Sequence, residues 1–263
     1  MTRSADDDFF IGWSNQLPRP FRSRMIAAGL AMICGLMALG YGLSRHADDP
    51  GDSLLKLGPR TAEGQPVRPE DWKSDQVFRG RLETTGYSVL HVSPDAAFPR
   101  GRVILLSGDG KRGPPIEGLT GAVEVRGGLM RRGELEMLVV ESPATPAPGG
   151  NVAEPLSRQS LGRWRIAGEI CDGKCYPGGM RPGSGISHRA CAVLCLSGDI
   201  PPVLVTAAPV AGQSFLILAS TDGASPYAHI AHAIGIPVEL EGDVERVGNV
   251  LVFRLDPSKI RPL

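Results

Sequence analysis

Residues Met25 to Leu43 (MIAAGLAMICGLMALGYGL) run for 19 positions without a charge. As a helix rising 1.5 Å per residue, such a run matches the roughly 30 Å hydrocarbon core of a bilayer. It predicts a membrane-spanning helix over 25–43, and it obliges the chain that follows to fold as a separate body. Gly29, Gly35 and Gly40 fit this reading, because small residues are common in lipid-embedded helices. Arg19, Arg22 and Arg24 precede the run, whereas Arg45 is followed by His46, Asp48, Asp49 and Asp52. The positive excess on the N-terminal side predicts a cytoplasmic segment 1–24 and an exported remainder. Ala38-Leu39-Gly40 also offers a signal-peptidase site, but the apolar run and the 24 residues before it are long for a cleaved signal.

The chain after the span has the composition of a loop-rich globular protein. Of 263 residues 42% are hydrophobic and 21% charged, with 34 Gly and 23 Pro. Basic and acidic side chains number 28 each, so no basic field is present to collect phosphate backbones, and nucleic acid is excluded as an expected partner. Residues 44–74, with Asp, Pro, Gly and Arg and little apolar periodicity, read as a stalk. Pro143 to Pro155 (PATPAPGGNVAEP) reads as a linker, here taken as 143–159, between two β-rich blocks.

Those blocks, 75–142 and 160–257, align with each other. Asp109-Gly110 matches Asp222-Gly223 at an offset of 113, and Val123-Glu124 matches Val238-Glu239 at 115. Phe78-Arg79-Gly80-Arg81-Leu82 matches Ile166-Ala167-Gly168-Glu169-Ile170 at only 88, which places 25 extra residues in the second block after its first strand. Short alternating runs such as Ala122-Val123-Glu124-Val125 predict strands, Tyr227 to Ala233 predicts a short helix, and Gly127 to Gly133 and Gly242 to Gly248 predict turns. Five strands with a helix or loop between the third and fourth resemble the OB fold. The expected fold class is mainly β: an N-terminal transmembrane helix and two OB-like barrels. Stacking aromatics for nucleic acids or sugars are scarce, which favours partner docking.

The extra residues fall in 171–200 and carry Cys171, Cys175, His188, Cys191 and Cys195. In an oxidising compartment the direct expectation is a pair of disulfides joining Cys171 and Cys175 to Cys191 and Cys195, stapling a Gly/Pro-rich loop. A helix through 187–195 supports a second reading. His188, Cys191 and Cys195 then share one face at i, i+3 and i+7 and, with Cys171 or Cys175, offer soft N/S ligands to an ion. Zn(II) fits this set, Cu(I) fits it with Met180 as an added thioether, and iron–sulfur ranks third because its spacing motifs are absent. A third reading is reversible thiol–disulfide exchange. Helical cysteines four apart hold their Cβ atoms roughly 5 to 6 Å apart, too far for a Cys191–Cys195 bond.

Other candidates are weaker. His229 and His232 read as a solvated helix face, His91 as a structural strand residue, and Cys34 as a small apolar residue of the span. Ser107-Gly108-Asp109-Gly110 and Gly127-Gly128 read as turns, since no phosphate-loop pattern is present. No catalytic residue or enzyme activity is assigned.

Lys174-Cys175-Tyr176, Gly178, Met180, Pro182-Gly183, His188-Arg189-Ala190-Cys191-Ala192 and Gly198-Asp199-Ile200-Pro201-Pro202 resemble a motif of membrane-anchored bacterial proteins, as does Phe9-Phe10-Ile11-Gly12-Trp13 before the span. The resemblance implies a bacterial inner-membrane anchor and a Cys-rich periplasmic domain serving a respiratory or metalloenzyme system. The expected role is an accessory or assembly protein that contacts a membrane or periplasmic protein partner, with a metal-binding or electron-transfer accessory and a thiol–disulfide oxidoreductase as alternatives.

Overall fold

The structure is a computed structural model that describes residues 19–48, 67–84, 86–148, 155–222 and 224–263, in two compact units dividing after His46. Most of the expected stalk, and the centre of the expected linker, lie outside the described residues. The first unit contains helix α1 (Arg19–Asp48). Its stretch Arg22–Leu43 has a mean hydropathy of 1.9 and is long and apolar enough to cross a membrane. Apolar side chains on every face, with none buried by protein, suit lipid better than water.

The second unit is mainly β. Strands β1 (Lys73–Glu83), β2 (Val89–Val92), β3 (Arg102–Ser107), β4 (Gly121–Arg132), β5 (Leu135–Val140) and β6 (Thr145–Pro146) form a sheet in the order β1-β2-β3-β5-β4-β6, with β1 also paired to β4. Strands β7 (Arg158–Asp172), β8 (Pro202–Val210), β9 (Gln213–Ser220), β10 (Pro237–Val247) and β11 (Val250–Pro262) close a five-stranded barrel. In the barrel β9 runs parallel to β11 and the other pairings are antiparallel; in the sheet β3 and β5 make the corresponding parallel pair. The strands overrun the boundaries expected from sequence. Pro69 already bridges to Arg132, and β11 continues beyond residue 257.

Continuous apolar runs explain how sheet and barrel meet. In β3, Ile104 and Leu106 enter the core of the first sheet, while Val103 and Leu105 point the other way into a core shared with the barrel. Strand β9 repeats the pattern, with Leu216 and Leu218 inside the barrel and Phe215 and Ile217 in the shared core. A strand buried on both faces needs apolar residues at successive positions rather than at alternate ones. Polar groups fix the alignment: Asn249 Oδ1 accepts the Val103 N–H at 2.7 Å, and partly buried Arg102 pairs with buried Glu136 while stacking on Phe78 and Phe98.

The glycines expected to make turns divide into two kinds. Gly133 and Gly248, at φ 60° and 56°, occupy the β4–β5 and β10–β11 turns. Gly127, Gly128 and Gly242 instead lie within strands, correcting the turn expectation. A Cβ on Gly127 would stand 1.9 Å from Val139 O, one on Gly128 1.8 Å from the Trp72 indole, and one on Gly242 2.2 Å from Arg254 O. These glycines let a neighbouring strand or ring approach the backbone. The short helix expected at 227–233 is present as α3 (Tyr227–Ile230) and a 3-10 turn at Ala231–Ala233.

Candidate functional site

The extra residues of the second block leave the barrel between β7 and β8. The Cys171–Val203 and Asp172–Pro202 pairs form the neck, and Gly173 N donates to Pro201 O at 2.8 Å. Asp172, fully buried at the end of β7, turns the chain outward: its Oδ1 accepts the Lys174 N–H at 3.1 Å and the Cys175 N–H at 2.7 Å. A π-turn follows at Cys175–Gly179, where Gly178 at φ 149° adopts a backbone that favours glycine. Buried Tyr176 anchors the turn beneath the Arg132 guanidinium, 4.3 Å from its ring centre, so the insertion packs on β4 as well as on its own barrel.

Helix α2 (Arg189–Ser197) then brings the second half of the motif back. His188 is its N-cap residue, and the Gly198 N–H closes its C-terminus on Cys195 O and Leu196 O. Gly198 also lies against the first sheet, where a Cβ would come within 1.9 Å of Lys111 O. The i, i+3, i+7 spacing thereby brings His188, Cys191 and Cys195 toward Cys175. Cys175 Sγ stands 3.8 Å from Cys191 Sγ and 3.9 Å from Cys195 Sγ. Two overlapping groups meet at Cys175: Cys175, His188 and Cys191, and Asp172, Cys175 and Cys195, each with its ligand atoms within 4.8 Å of one another.

The surrounding groups set charge and orientation. Buried His188 has its Nε2 2.9 Å from Asp172 Oδ2, which leaves Nδ1 as the ring atom available to a ligand. Lys111, from the loop after β3, donates Nζ to Cys191 Sγ at 2.6 Å, a contact that raises the lysine's own pKa. Cys175 and Cys195 share a hydrogen bond in which either sulfur can donate; the contact pushes the Cys175 thiol up, helped by burial, and holds Cys195 down against the opposing effect of burial. Lys174 reinforces the junction by donating Nζ to Gly108 O at 2.7 Å and to Gly110 O at 2.8 Å.

Cys171 stands apart from both groups. Its thiol donates to Glu169 Oε1 at 3.5 Å, and burial pushes its pKa up, with the Glu169 charge adding to the effect. Glu169 Oε1 also accepts the Gly185 N–H, while Oε2 is buried without a hydrogen-bond partner, and desolvation raises this carboxyl. The disulfides expected from Cys171 and Cys175 to Cys191 and Cys195 are not formed: all five cysteines are free, and 3.8 Å is far from the roughly 2.05 Å of an S–S bond. Met180, His229 and His232 are exposed, and His91 is buried against Glu83 at 3.2 Å.

Sequence reasoning missed Lys111, Asp172 and Glu169. Lys111 gives no local signal, because it is 80 positions from Cys191 and in the other β block. Asp172 carried one: an Asx residue next to the motif, of the kind that organises a turn through its own side chain. No family model, curated protein or solved structure matches the chain.

Proposed function

We propose that the protein is a membrane-anchored metal-binding accessory whose site is built on Cys175, His188 and Cys191, which already converge, while Cys195 closes in as the fourth ligand on binding, with zinc as the resident ion and Cu(I) as the competing soft cation. The observation that carries this reading is the spacing of the sulfurs. Zinc–sulfur bonds of about 2.3 Å in a tetrahedron set an S···S edge of about 3.8 Å, against 3.8 and 3.9 Å from Cys175 to its two neighbours. Asp172 behind His188 is the carboxylate partner that metal-ligating imidazoles commonly require, and it fixes the tautomer and the ring. Three thiolates and one neutral imidazole around a divalent ion carry one net negative charge, which the Lys111 ammonium balances.

The scaffold reading belongs with this proposal. We infer that both β blocks are OB-like, since the pairings β1–β2, β2–β3, β3–β5, β5–β4 and β4–β1 repeat the circuit of the closed barrel. The arginines before the span orient the β unit toward the periplasm, where it presents the site to a membrane or periplasmic partner.

The test is elemental analysis and thiol counting on full-length protein purified anaerobically in detergent. The expected result is one zinc per chain and, after denaturation with chelator, every cysteine free. His188→Ala should weaken binding while leaving the fold intact. Metal-free protein with Cys175 bonded to Cys191 or Cys195 as purified would overturn the reading.

A further inference from the structure

Cys191 differs from its neighbours in two respects. It is partly exposed, whereas Cys175 and Cys195 are 5% and 1% accessible, and it alone among them accepts a lysine ammonium, at 2.6 Å. It also lies in the first turn of α2, where the helix presents its positive end. Cys175 waits behind it, sulfur to sulfur at 3.8 Å, in van der Waals contact. Closing that gap to a bond requires a movement of about 1.8 Å, within reach of a side-chain rotation combined with a small shift of the π-turn.

We propose that Cys191 and Cys175 are a dithiol pair that exchanges two electrons with an external disulfide of the glutathione or protein-cystine class, and that this exchange ejects the bound ion. The ejection rests on the metal-binding reading above; the exchange itself does not. Cys191 Sγ, deprotonated as a ligand of the ion, attacks one sulfur of the disulfide, forms a mixed disulfide and releases the other sulfur as a thiolate. Cys175 Sγ, also deprotonated as a ligand of the ion, then attacks Cys191 Sγ and expels the second sulfur as a thiolate; in metal-free protein its proton passes to the first leaving thiolate. The partner disulfide is reduced to two thiolates, whose charge matches the released divalent ion, and Cys175 and Cys191 are oxidised to one disulfide. The ion loses two of its four ligands, and Cys195 and His188 cannot hold it alone. Lys111 acts as a positioning residue that stabilises the negative sulfur before attack.

Oxidised glutathione is the probe, added anaerobically to the full-length, zinc-loaded protein in detergent. The expected outcome is release of the zinc in step with the loss of two thiols per chain, with a Cys175–Cys191 linkage in the peptide map. Cys175→Ser should stop the reaction at a glutathione adduct on Cys191, and Lys111→Met should slow adduct formation by roughly tenfold. Zinc retained at full occupancy under excess oxidised glutathione overturns the ejection step and leaves the metal site standing. Protein that binds no metal overturns the metal site, and the exchange is then read from the linkage alone. An adduct on Cys195, or a Cys171–Cys175 linkage, overturns the assignment of the pair.

Discussion

The two β blocks follow one pairing order but treat the step after their first strand differently. In the first, β1 reaches β2 through residues 84–88; in the second, β7 reaches β8 only after residues 173–201. Around each sheet the interior is apolar, with Leu90, Ile104 and Leu138 on one side and Leu216, Ile234 and Phe253 on the other, all fully buried. The end of β7 and the long connection that leaves it collect buried ionisable groups: Glu169, Cys171 and Asp172 on the strand, and Cys175, His188 and Cys195 beyond it. The strands supply most of the core and the connection adds Tyr176, Ala192, Leu196 and Ile200 to it, while Asp172 and His188 beside these are placed for chemistry rather than packing.

If that division holds, truncating an interior residue should cost stability and nothing else. Phe253→Ala should destabilise the fold by roughly 3–5 kcal/mol, and Leu138→Ala by roughly 2–5 kcal/mol, in denaturant titration, with bound metal per folded chain unchanged. A loss of metal in folded Leu138→Ala would break the comparison. Asp172→Asn should do the reverse, lowering metal affinity about 10- to 100-fold, because the imidazole loses its charged partner while its shape is retained. Competition with a chromogenic chelator measures this, and unchanged affinity would remove Asp172 from the site.

Glu169→Gln sharpens the comparison through pH. Burial raises the folded pKa of this carboxyl above the 4.5 of an ordinary glutamate. The folded state therefore holds the proton more tightly than the unfolded one, and stability declines as pH rises through that interval. Glu169→Gln should remove that part of the decline, by at most about 1.4 kcal/mol per pH unit, in melting curves taken from pH 4 upward. Parallel curves for the two proteins would refute the assignment. The smallest effect belongs to the first sheet's exposed strand pair: Arg79→Ala, which breaks a surface contact to Glu124 at 2.6 Å, should cost under about 1 kcal/mol.

Legibility differed along the same line. The long apolar helix and the strands followed from local patterns, because hydropathy and alternation act over a few residues, and the position of the insertion followed from the offset between the two blocks. The core between the blocks was less visible: Val103-Ile104-Leu105-Leu106 announces burial on both faces but not what covers the second face. The misplaced turns at Gly127 and Gly242 share that cause, since a glycine chosen for the approach of a distant strand looks like any other glycine. At the site, His188, Cys191 and Cys195 could be grouped because one helix carries them. The exclusion of Cys171 depended on strand phase, with its thiol turned to Glu169, and Lys111 depended on how the blocks pack.

That lysine has a consequence for modularity. The cysteines belong to one block, but Lys111, Gly108 and Gly110, which bind Cys191 and Lys174, belong to the other. The motif is therefore not a portable cassette: transplanted to another barrel it would keep its sulfurs and lose its counter-charge. The site is thus completed by a residue of the first sheet's loop, and the barrel alone does not carry all of it.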